Sequence, residues 1–485
     1  MVDSSGHVAR YSMLETIRAY AHRKLVEAGA EKEAALGHAR WFLELAESAE
    51  FQGPEQAEWA ARLSQEHDNL RIAVAHSLRH GDSETAIRLG AALGWWWFFG
   101  NRDEGRTLLD QVLEATTDRN DLARVSVLHA RALLDLFNPS PRSIDAAEEA
   151  LATALALEGA EAAALSKVYV ALGGVFGPET ERSMGLIDEA LSVFEESGDR
   201  WGEGFAGFQR MEILAHKGDL RRAIDVGEAA LACFRETGDP WAISAALAHL
   251  GRYGRLTGRL EWAEEITGEA LDLARIRRLP HTVQYVMTDQ GYLHLLADDH
   301  DGARQIFEGA LARAVDVGNP VGAATIRNGM AESYLTLGSA EAARRLHTEA
   351  LTGFREVGLD FGVAFTEARL GLVAEVAGRL EEADEHHQKA LRSASSAEAV
   401  IEAILALEGL GRVAAAGSDL ERAARLLGAG ASLRSRSGLT ALPVEKAATG
   451  SAVSRVKTDL GREVFERITE EVKAMDPAEL AAMTD

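Results

Sequence analysis

The residues best suited to chemistry in this sequence are a glutamate and two neighbouring histidines, Glu382, His386 and His387. On a helix, Glu382 and His386 would lie one turn apart on the same face, where a carboxylate and an imidazole can share a metal ion. However, the position of His386 is filled by Val226 and Ile266 in two related stretches of the chain. We therefore interpret His386 as a packed histidine and keep a histidine-dependent metal site as the enzyme-class alternative.

Motifs for the common catalytic and cofactor-binding sites are missing. The sequence has no Gly-Lys pair, and hence no phosphate-binding loop of the Walker type, and it contains neither G-x-S-x-G nor H-E-x-x-H. The single cysteine, Cys233, has no histidine or aspartate at a motif spacing, and a single cysteine excludes an internal disulfide. We expect no catalytic activity, no cofactor and no metal.

Five consecutive aromatic residues, "WWWFF" at 95–99, are a second candidate site, because clustered rings can form a ligand cage. They occur in "GDSETAIRLGAALGWWWFFGNRDEGRTLLDQVLE", which reads as a divergent helical repeat. We favour the interpretation that these rings form the core at a helix end and the seam between two repeats.

Charge and hydropathy exclude other classes of function. The formal net charge of −25 over 485 residues repels phosphate backbones, and no block of positive charges offsets it, so we expect no direct binding to nucleic acid. The mean hydropathy is −0.11, and no apolar run reaches the ~20 residues of a membrane span. The first 25 residues lack the apolar core of a signal peptide. We expect a cytoplasmic protein, and the scarcity of lysine beside abundant Arg, Ala and Gly points to a GC-rich genome such as that of an actinobacterium.

The elements that position these residues follow a period of 40 residues. The dipeptide Ala-Leu recurs at this spacing at 150, 190, 230, 270, 310, 350 and 390. A second alanine column comprises Ala223, Ala263, Ala303, Ala343, Ala383 and Ala423. A third column is small and comprises Gly251, Gly291, Ala331, Gly371 and Gly411. Three columns in one register indicate a repeat architecture.

Each repeat is predicted to be a pair of helices. In the repeat 241–280, helix A covers about 241–256, Gly258 supplies the left-handed turn, and helix B covers about 260–276. Small residues on helix A would let helix B approach, with the Ala263 column as the facing partner. Larger apolar residues form one further column, which is Leu186, Val226, Ile266, Ile306, Leu346 and Leu426. A single hairpin cannot bury this column, so the repeats must stack.

The columns resemble those of tetratricopeptide (TPR) repeats, with Leu250-Gly251 as the Leu-Gly pair and Ala303-x3-Phe307 as the Ala-x3-Phe element. The predicted fold class is therefore all-α, a right-handed superhelical solenoid of TPR-like helical hairpins with a 40-residue period. We predict four segments: the end of a winged-helix-like module with a linker helix at 1–37, divergent helical repeats at 38–120, eight TPR-like repeats at 121–440, and C-terminal capping helices at 441–485.

The stretch "RYSMLETIRAYAHRKL" (10–25) lies outside the repeat and resembles the last helix of the winged-helix module in bacterial STAND-class signal-transduction ATPases. "VDSSGHVARYSML" would supply the end of the β wing, and "HARWFLELAESAE", "EWAARLSQEHDNLRIAVAHSL" and "ERAARLLGAGASLRSRSG" follow in the order expected for LuxR-type and SARP-type regulators of this class. The nucleotide-binding domain and a C-terminal helix-turn-helix are absent from this sequence. It is therefore either part of a longer regulator or a free-standing relative.

The resemblance implies a function in sensing. In such regulators the TPR-like region receives a signal from a small-molecule inducer or a protein or peptide partner and controls the ATPase switch and hence transcription. The alternative is a free-standing TPR scaffold that binds peptides or helices of partner proteins. Neither function involves membrane contact.

Outward positions on the concave, helix A side give a candidate groove. These residues are Phe208, Glu212, Arg252, Arg255, Tyr285, Thr288, Tyr292, Asn328, Glu332 and Phe365. We expect Arg252, Arg255 and Tyr292 to form its centre and to bind a ligand with an anionic or polar group and a flat apolar part, because Arg supplies forked donors and Tyr supplies stacking area. The alternative is that these residues are merely exposed on a curved surface.

Overall fold

Helices make up most of the computed structural model of the protein, which describes residues 2–3, 10–11, 13–136, 140–174, 179–475, 479–480 and 483. Within these residues, the strands are limited to a short antiparallel pair, β1 (Val2–Asp3) and β2 (Arg10–Tyr11). This pair agrees with the expectation of no sheet larger than a short wing near 1–12. Residues 4–9 and 12 of the predicted wing lie outside the described residues.

The chain divides into two units, 1–51 with 55–169, and 52–54 with 170–485. The helices up to the boundary are α1 (Glu15–Glu27), α2 (Glu31–Glu47), α3 (Gln56–Gln65), α4 (His67–His80), α5 (Ser83–Phe99), α6 (Arg102–Ala115), α7 (Leu122–Leu133), α8 (Pro141–Ala156) and α9 (Ala160–Gly174), which contains the boundary. The later helices are α10 (Thr180–Ser197), α11 (Arg200–His216), α12 (Leu220–Thr237), α13 (Pro240–Leu256), α14 (Leu260–Ile276), α15 (Pro280–Leu296), α16 (His300–Asp316), α17 (Pro320–Thr336), α18 (Ala340–Glu356), α19 (Asp360–Val376), α20 (Leu380–Ser396), α21 (Val400–Ala416), α22 (Leu420–Ser437), α23 (Pro443–Leu460) and α24 (Arg462–Lys473).

From α11 to α22 a new helix begins every 20 residues. The turns between them place one residue in the left-handed region, at φ values such as +78° for Gly258 and +73° for Gly238. Glycine adopts this conformation without strain from a Cβ atom. Several turns then present an aspartate whose side chain accepts a hydrogen bond from the first turn of the next helix, as Asp239 does from the amide of Ala242 at 3.1 Å. Local turn chemistry thus fixes the register of the repeats.

The predicted all-α solenoid of TPR-like hairpins is confirmed. Both alanine columns are buried, with Ala263 and Ala270 fully inaccessible. On helix B, these two alanines and Ala274 follow the spacing of a single helical stripe that faces the first helices. Among the described residues, no helix combines the length and the apolar composition needed to cross a membrane.

The residue that faces the glycine column was predicted wrongly. A Cβ at Gly251 would lie 2.3 Å from Cγ2 of Thr267, and one at Gly291 would lie 2.5 Å from Cε1 of Phe307. The expected partner, Ala263, lies one helical turn earlier. The facing residues form a fully buried column of their own, which is Ile187, Thr267, Phe307, His347 and His387.

The column proposed for the large apolar residues is correspondingly less buried than expected, because Val226, Ile306 and Leu346 retain some exposure. The physical reason is the helical period. The position four residues after Ala263 and three before Ala270 lies at the centre of the alanine stripe, whereas the position one residue earlier lies on its flank. In the first unit, Trp96, Trp97 and Phe98 are buried, which agrees with their interpretation as core.

Candidate functional site

The ten residues of the predicted groove all lie in the second unit and on five successive first helices, which are α11, α13, α15, α17 and α19. Six of them are buried, namely Phe208, Arg255, Thr288, Tyr292, Asn328 and Glu332. The other four, Glu212, Arg252, Tyr285 and Phe365, are half-buried. The alternative that these residues are merely exposed is therefore wrong. They take part in a polar and aromatic network between neighbouring first helices.

The accessible part of this network comprises Glu212, His249, Arg252 and Tyr285, which we call the polar–aromatic cluster. Arg252 donates a hydrogen bond from Nη1 to the hydroxyl of Tyr285 at 3.2 Å. The ring of His249 stacks on that of Tyr285, with 4.6 Å between centroids and 11° between planes. Nδ1 of His249 lies 2.7 Å from Oε1 of Glu212. The cluster thus links α11, α13 and α15.

Glu212 is the negative centre of the polar–aromatic cluster. Burial by itself raises the pKa of this carboxyl, but His249, the Tyr253 hydroxyl and Arg252 together outweigh burial and lower it. The Tyr253 hydroxyl donates to Oε1 of Glu212 at 2.6 Å. Glu212 is therefore ionised at neutral pH. Sequence reasoning missed His249 and Tyr253, although both lie within one helical turn of Arg252.

Arg255 has a different environment from Arg252. Its Nε donates to Oδ1 of Asp289 at 2.9 Å, and both side chains are buried. Its guanidinium also lies 4.4 Å from the ring centroid of Tyr292, within the range of a cation–π contact. Arg255 is thus fully engaged inside the protein. Arg252 retains the better access to a bound molecule.

The network continues to α17 and α19. Asn328 donates from Nδ2 to Oγ1 of Thr366 at 2.9 Å, and its Oδ1 lies 2.8 Å from Nδ1 of His347. Burial, followed by the charge of Arg369, lowers the pKa of His347 to about 3. His347 is therefore neutral, and because an amide oxygen can only accept, its Nδ1 carries the proton. The Arg369 guanidinium lies 5.0 Å from the ring centroid of Phe365.

The possible metal site around His386 is not assembled. Nε2 of His386 lies 4.0 Å from Oε1 of Glu382, and its Nδ1 instead lies 2.6 Å from Oε2 of Glu367. The packed histidine is His387 rather than His386, because His387 is fully buried and its Nε2 lies 2.7 Å from Oε1 of Glu375. Across the described ranges, no three His, Cys, Asp or Glu side chains are grouped to hold a metal ion.

Comparisons with known proteins give two kinds of similarity. No family model matches the chain. Over 202 residues, 40% of this chain, the sequence is 30% identical to proteins of Mycobacterium bovis and Mycobacterium tuberculosis that are named as HTH-type transcriptional regulators. That match spans 23% of the length of these curated relatives.

Among solved structures, a Rap protein complexed with competence and sporulation factor superposes with a TM-score of 0.58 at 13% identity, over 73% of this chain and 99% of that chain. A STAND protein with a tetratricopeptide repeat sensor from Pyrococcus horikoshii gives a TM-score of 0.40 at 14% identity, over 87% of this chain and 74% of that chain. The fold is therefore the TPR-like fold, and part of the sequence resembles transcriptional regulators, as predicted.

Proposed function

We propose that this chain is the non-catalytic sensor and interaction region of a bacterial transcriptional regulator of the STAND class, related to LuxR-type regulators and acting in the cytoplasm. Its first helices would bind a protein or peptide partner, or a small-molecule inducer, and binding would control the ATPase switch. The TPR-like fold and the similarity to HTH-type regulators support this proposal. In this proposal, 1–37 end a winged-helix module, 38–120 and 121–440 are repeats, and 441–485 cap them.

The observation that carries the proposal is the polar–aromatic cluster. It combines forked donors, a stacked aromatic pair and a carboxylate on three successive helices, and its members keep partial exposure. Arg and Tyr provide much of the binding energy at protein interfaces because they offer large contact areas together with directional hydrogen bonds. Buried Arg255 and Tyr292, expected to be at the centre of the site, would support Arg252 from below.

The neighbouring fold adds support at the level of architecture. The Rap protein that superposes on this chain was solved in complex with competence and sporulation factor. A fold can host unrelated functions, so this likeness supports the capacity of the repeats to hold a ligand rather than any particular ligand.

A binding comparison tests the proposal. The wild-type chain, an Arg252→Ala/Tyr285→Ala variant and an Arg235→Ala control are each used to capture partners, and each captured partner is purified and its Kd measured. Arg235 is a suitable control because it lies exposed on α12, where it pairs with Glu269 at 2.8 Å. We expect the double variant to remain helical by circular dichroism and to lose at least tenfold in affinity, while the control binds normally. Equal affinity of the folded double variant would exclude the cluster as the site.

The alternative, a free-standing scaffold, differs from the regulator in its gene. If the reading frame continues upstream into a Gly-x4-Gly-Lys-Ser/Thr motif, the chain is part of a STAND regulator. A separate frame together with a captured peptide partner would favour the scaffold.

A further inference from the structure

A buried group of ionisable side chains lies where α23 meets the first helices α17 and α19. Glu332 on α17, Arg369 on α19 and Glu445 on α23 are 2%, 5% and 4% exposed. Beside them, Val444 on α23 packs against an apolar cluster that includes Leu335. Water therefore has little access to these charges, so their mutual pairing decides their energies.

Glu332 is poorly satisfied in this group. Neither of its carboxylate oxygens has a hydrogen-bond partner among the described residues. Oε1 lies 3.3 Å from Nε of Arg369 and 3.7 Å from Nε2 of His347, in geometries that do not form hydrogen bonds. An ionised carboxylate without hydrogen bonds is strongly disfavoured in such an environment, and a protonated one is disfavoured much less.

The charges around Glu332 do not balance. Arg434 donates to both oxygens of Glu408, at 2.7 and 2.8 Å, and reaches Oε2 of Glu445 at 3.5 Å. Arg369 contacts Oε1 of Glu445 directly and lies near Glu332. Three carboxylates, those of Glu332, Glu408 and Glu445, thus share two guanidiniums. One carboxylate is in excess, and Glu332 is the one without hydrogen bonds.

The remaining groups near Glu332 do not supply the missing positive charge. Burial lowers the pKa of His347 on α18 to about 3, and burial raises the pKa of Tyr292 on α15, so both are neutral. Arg255 on α13 lies against the Tyr292 ring but is paired with Asp289. Nearby Arg412 is held by both oxygens of Glu375 at 2.8 Å.

We propose that Glu332 is a buried proton-binding site that controls how firmly α23 is attached. While Glu332 carries a proton, Arg369 is free to hold Glu445 and thereby α23. When Glu332 loses the proton, two carboxylates compete for one guanidinium and the contact to α23 weakens. This inference does not depend on whether the first helices bind a ligand.

The direction of the pH effect follows from the shift at Glu332. Burial raises the pKa of Glu332, Arg369 opposes this effect, and Glu445 adds to it. A free glutamate has a pKa of ~4.3, so the folded state binds more protons than the unfolded state above that value. The stabilising contribution of protonated Glu332 is therefore complete below ~4.3 and is lost as the pH rises through the folded-state pKa.

Hydrogen–deuterium exchange tests this inference without any ligand. Protection factors of peptides within 443–460 are measured for the wild type over a pH series, after correction for the intrinsic exchange rate. We expect protection of α23 to fall with rising pH, by up to tenfold for each pKa unit that separates the folded and unfolded states. In Glu332→Gln, which mimics the protonated side chain, protection should stay high and lose this pH dependence.

A matched control separates the site from a general effect of removing buried charge. Glu367 on α19 is also buried, but its oxygens bond to Arg355 at 2.7 Å and lie 2.6 Å from His386. Glu367→Gln should keep the wild-type slope for α23. Glu445→Gln, which also removes the excess carboxylate, should flatten the slope even if Glu332→Gln fails to fold. A flat wild-type profile, or a wild-type slope in Glu332→Gln or Glu445→Gln, would overturn the proposal.

Discussion

A single methyl group at Gly291 should disturb the packing inside a repeat. Gly291 on α15 faces the ring of Phe307 on α16, and a Cβ there would lie 2.5 to 2.8 Å from three ring carbons. Phe307 is fully buried, and on its other side a Cβ at Gly329 would lie 2.5 Å from the same ring. The ring is thus held between two glycines and has no free space into which it can move.

The size of the effect can be isolated with a control glycine. Gly268 lies inside α14, and a Cβ there meets no atom within 4 Å. Both Gly→Ala changes gain about 1 kcal/mol of helix propensity, whereas only the change at Gly291 overpacks, at about 1–3 kcal/mol. We therefore expect Gly268→Ala to stabilise the protein by about 1 kcal/mol and Gly291→Ala to be about 1–3 kcal/mol less stable than Gly268→Ala. Equilibrium urea unfolding followed by circular dichroism measures both variants.

The reasoning fails if Gly291→Ala and Gly268→Ala are equally stable. A second comparison then identifies the ring as the cause. Phe307→Leu leaves a smaller side chain in the slot, so adding Gly291→Ala in that background should cost less than in the wild type. Such a coupling between contacting residues is measured by a double-mutant cycle.

Three further outcomes follow from the structure. Ala270→Leu should lower the free energy of unfolding by about 1–3 kcal/mol, because Ala270 is fully inaccessible and its column is occupied by alanine throughout; a loss near zero would refute this placement. Isothermal titration calorimetry with ATP should show no submicromolar binding, because no phosphate-binding loop is present. Cys233 should react with a thiol reagent much more slowly in the folded than in the unfolded chain, since it is buried and burial raises its pKa to about 11; equal rates would refute this.

The repeat architecture was predictable because it depends on local rules that recur. The alanine columns fixed the period, and the Gly-Asp-Pro turn at 238–240 marked where one repeat ends and the next begins. Each helix start then lies a constant 20 residues from the previous one. Backbone turns and small residues depend mainly on their own repeat, so a one-dimensional pattern is sufficient to place them.

The facing partner of the glycine column was not predictable from residue size alone. Thr267, Phe307 and His387 occupy one position in three repeats, yet they are polar, aromatic and basic. A search for one apolar column therefore selected the neighbouring flank position, where Ile266 and Ile306 are chemically alike. The glycines tolerate this diversity because each provides a slot that side chains of different shapes can fill.

The polar contacts of the candidate site follow a spacing that the sequence contains but does not reveal. Glu212 and His249, Glu375 and Arg412, and Arg412 and Thr449 are each 37 residues apart and in contact on successive first helices. This interval is shorter than the 40-residue period because the neighbouring helix is met slightly before the equivalent position.

The contact between Arg369 and Glu445 breaks this rule, since 76 residues separate them and it joins α19 to α23, with one first helix between them along the chain. No periodic pattern encodes such a contact, because it depends on how closely several helices converge. The pairing that leaves Glu332 without a cation of its own therefore arises only in three dimensions, although each of its members lies at an ordinary position of its own repeat.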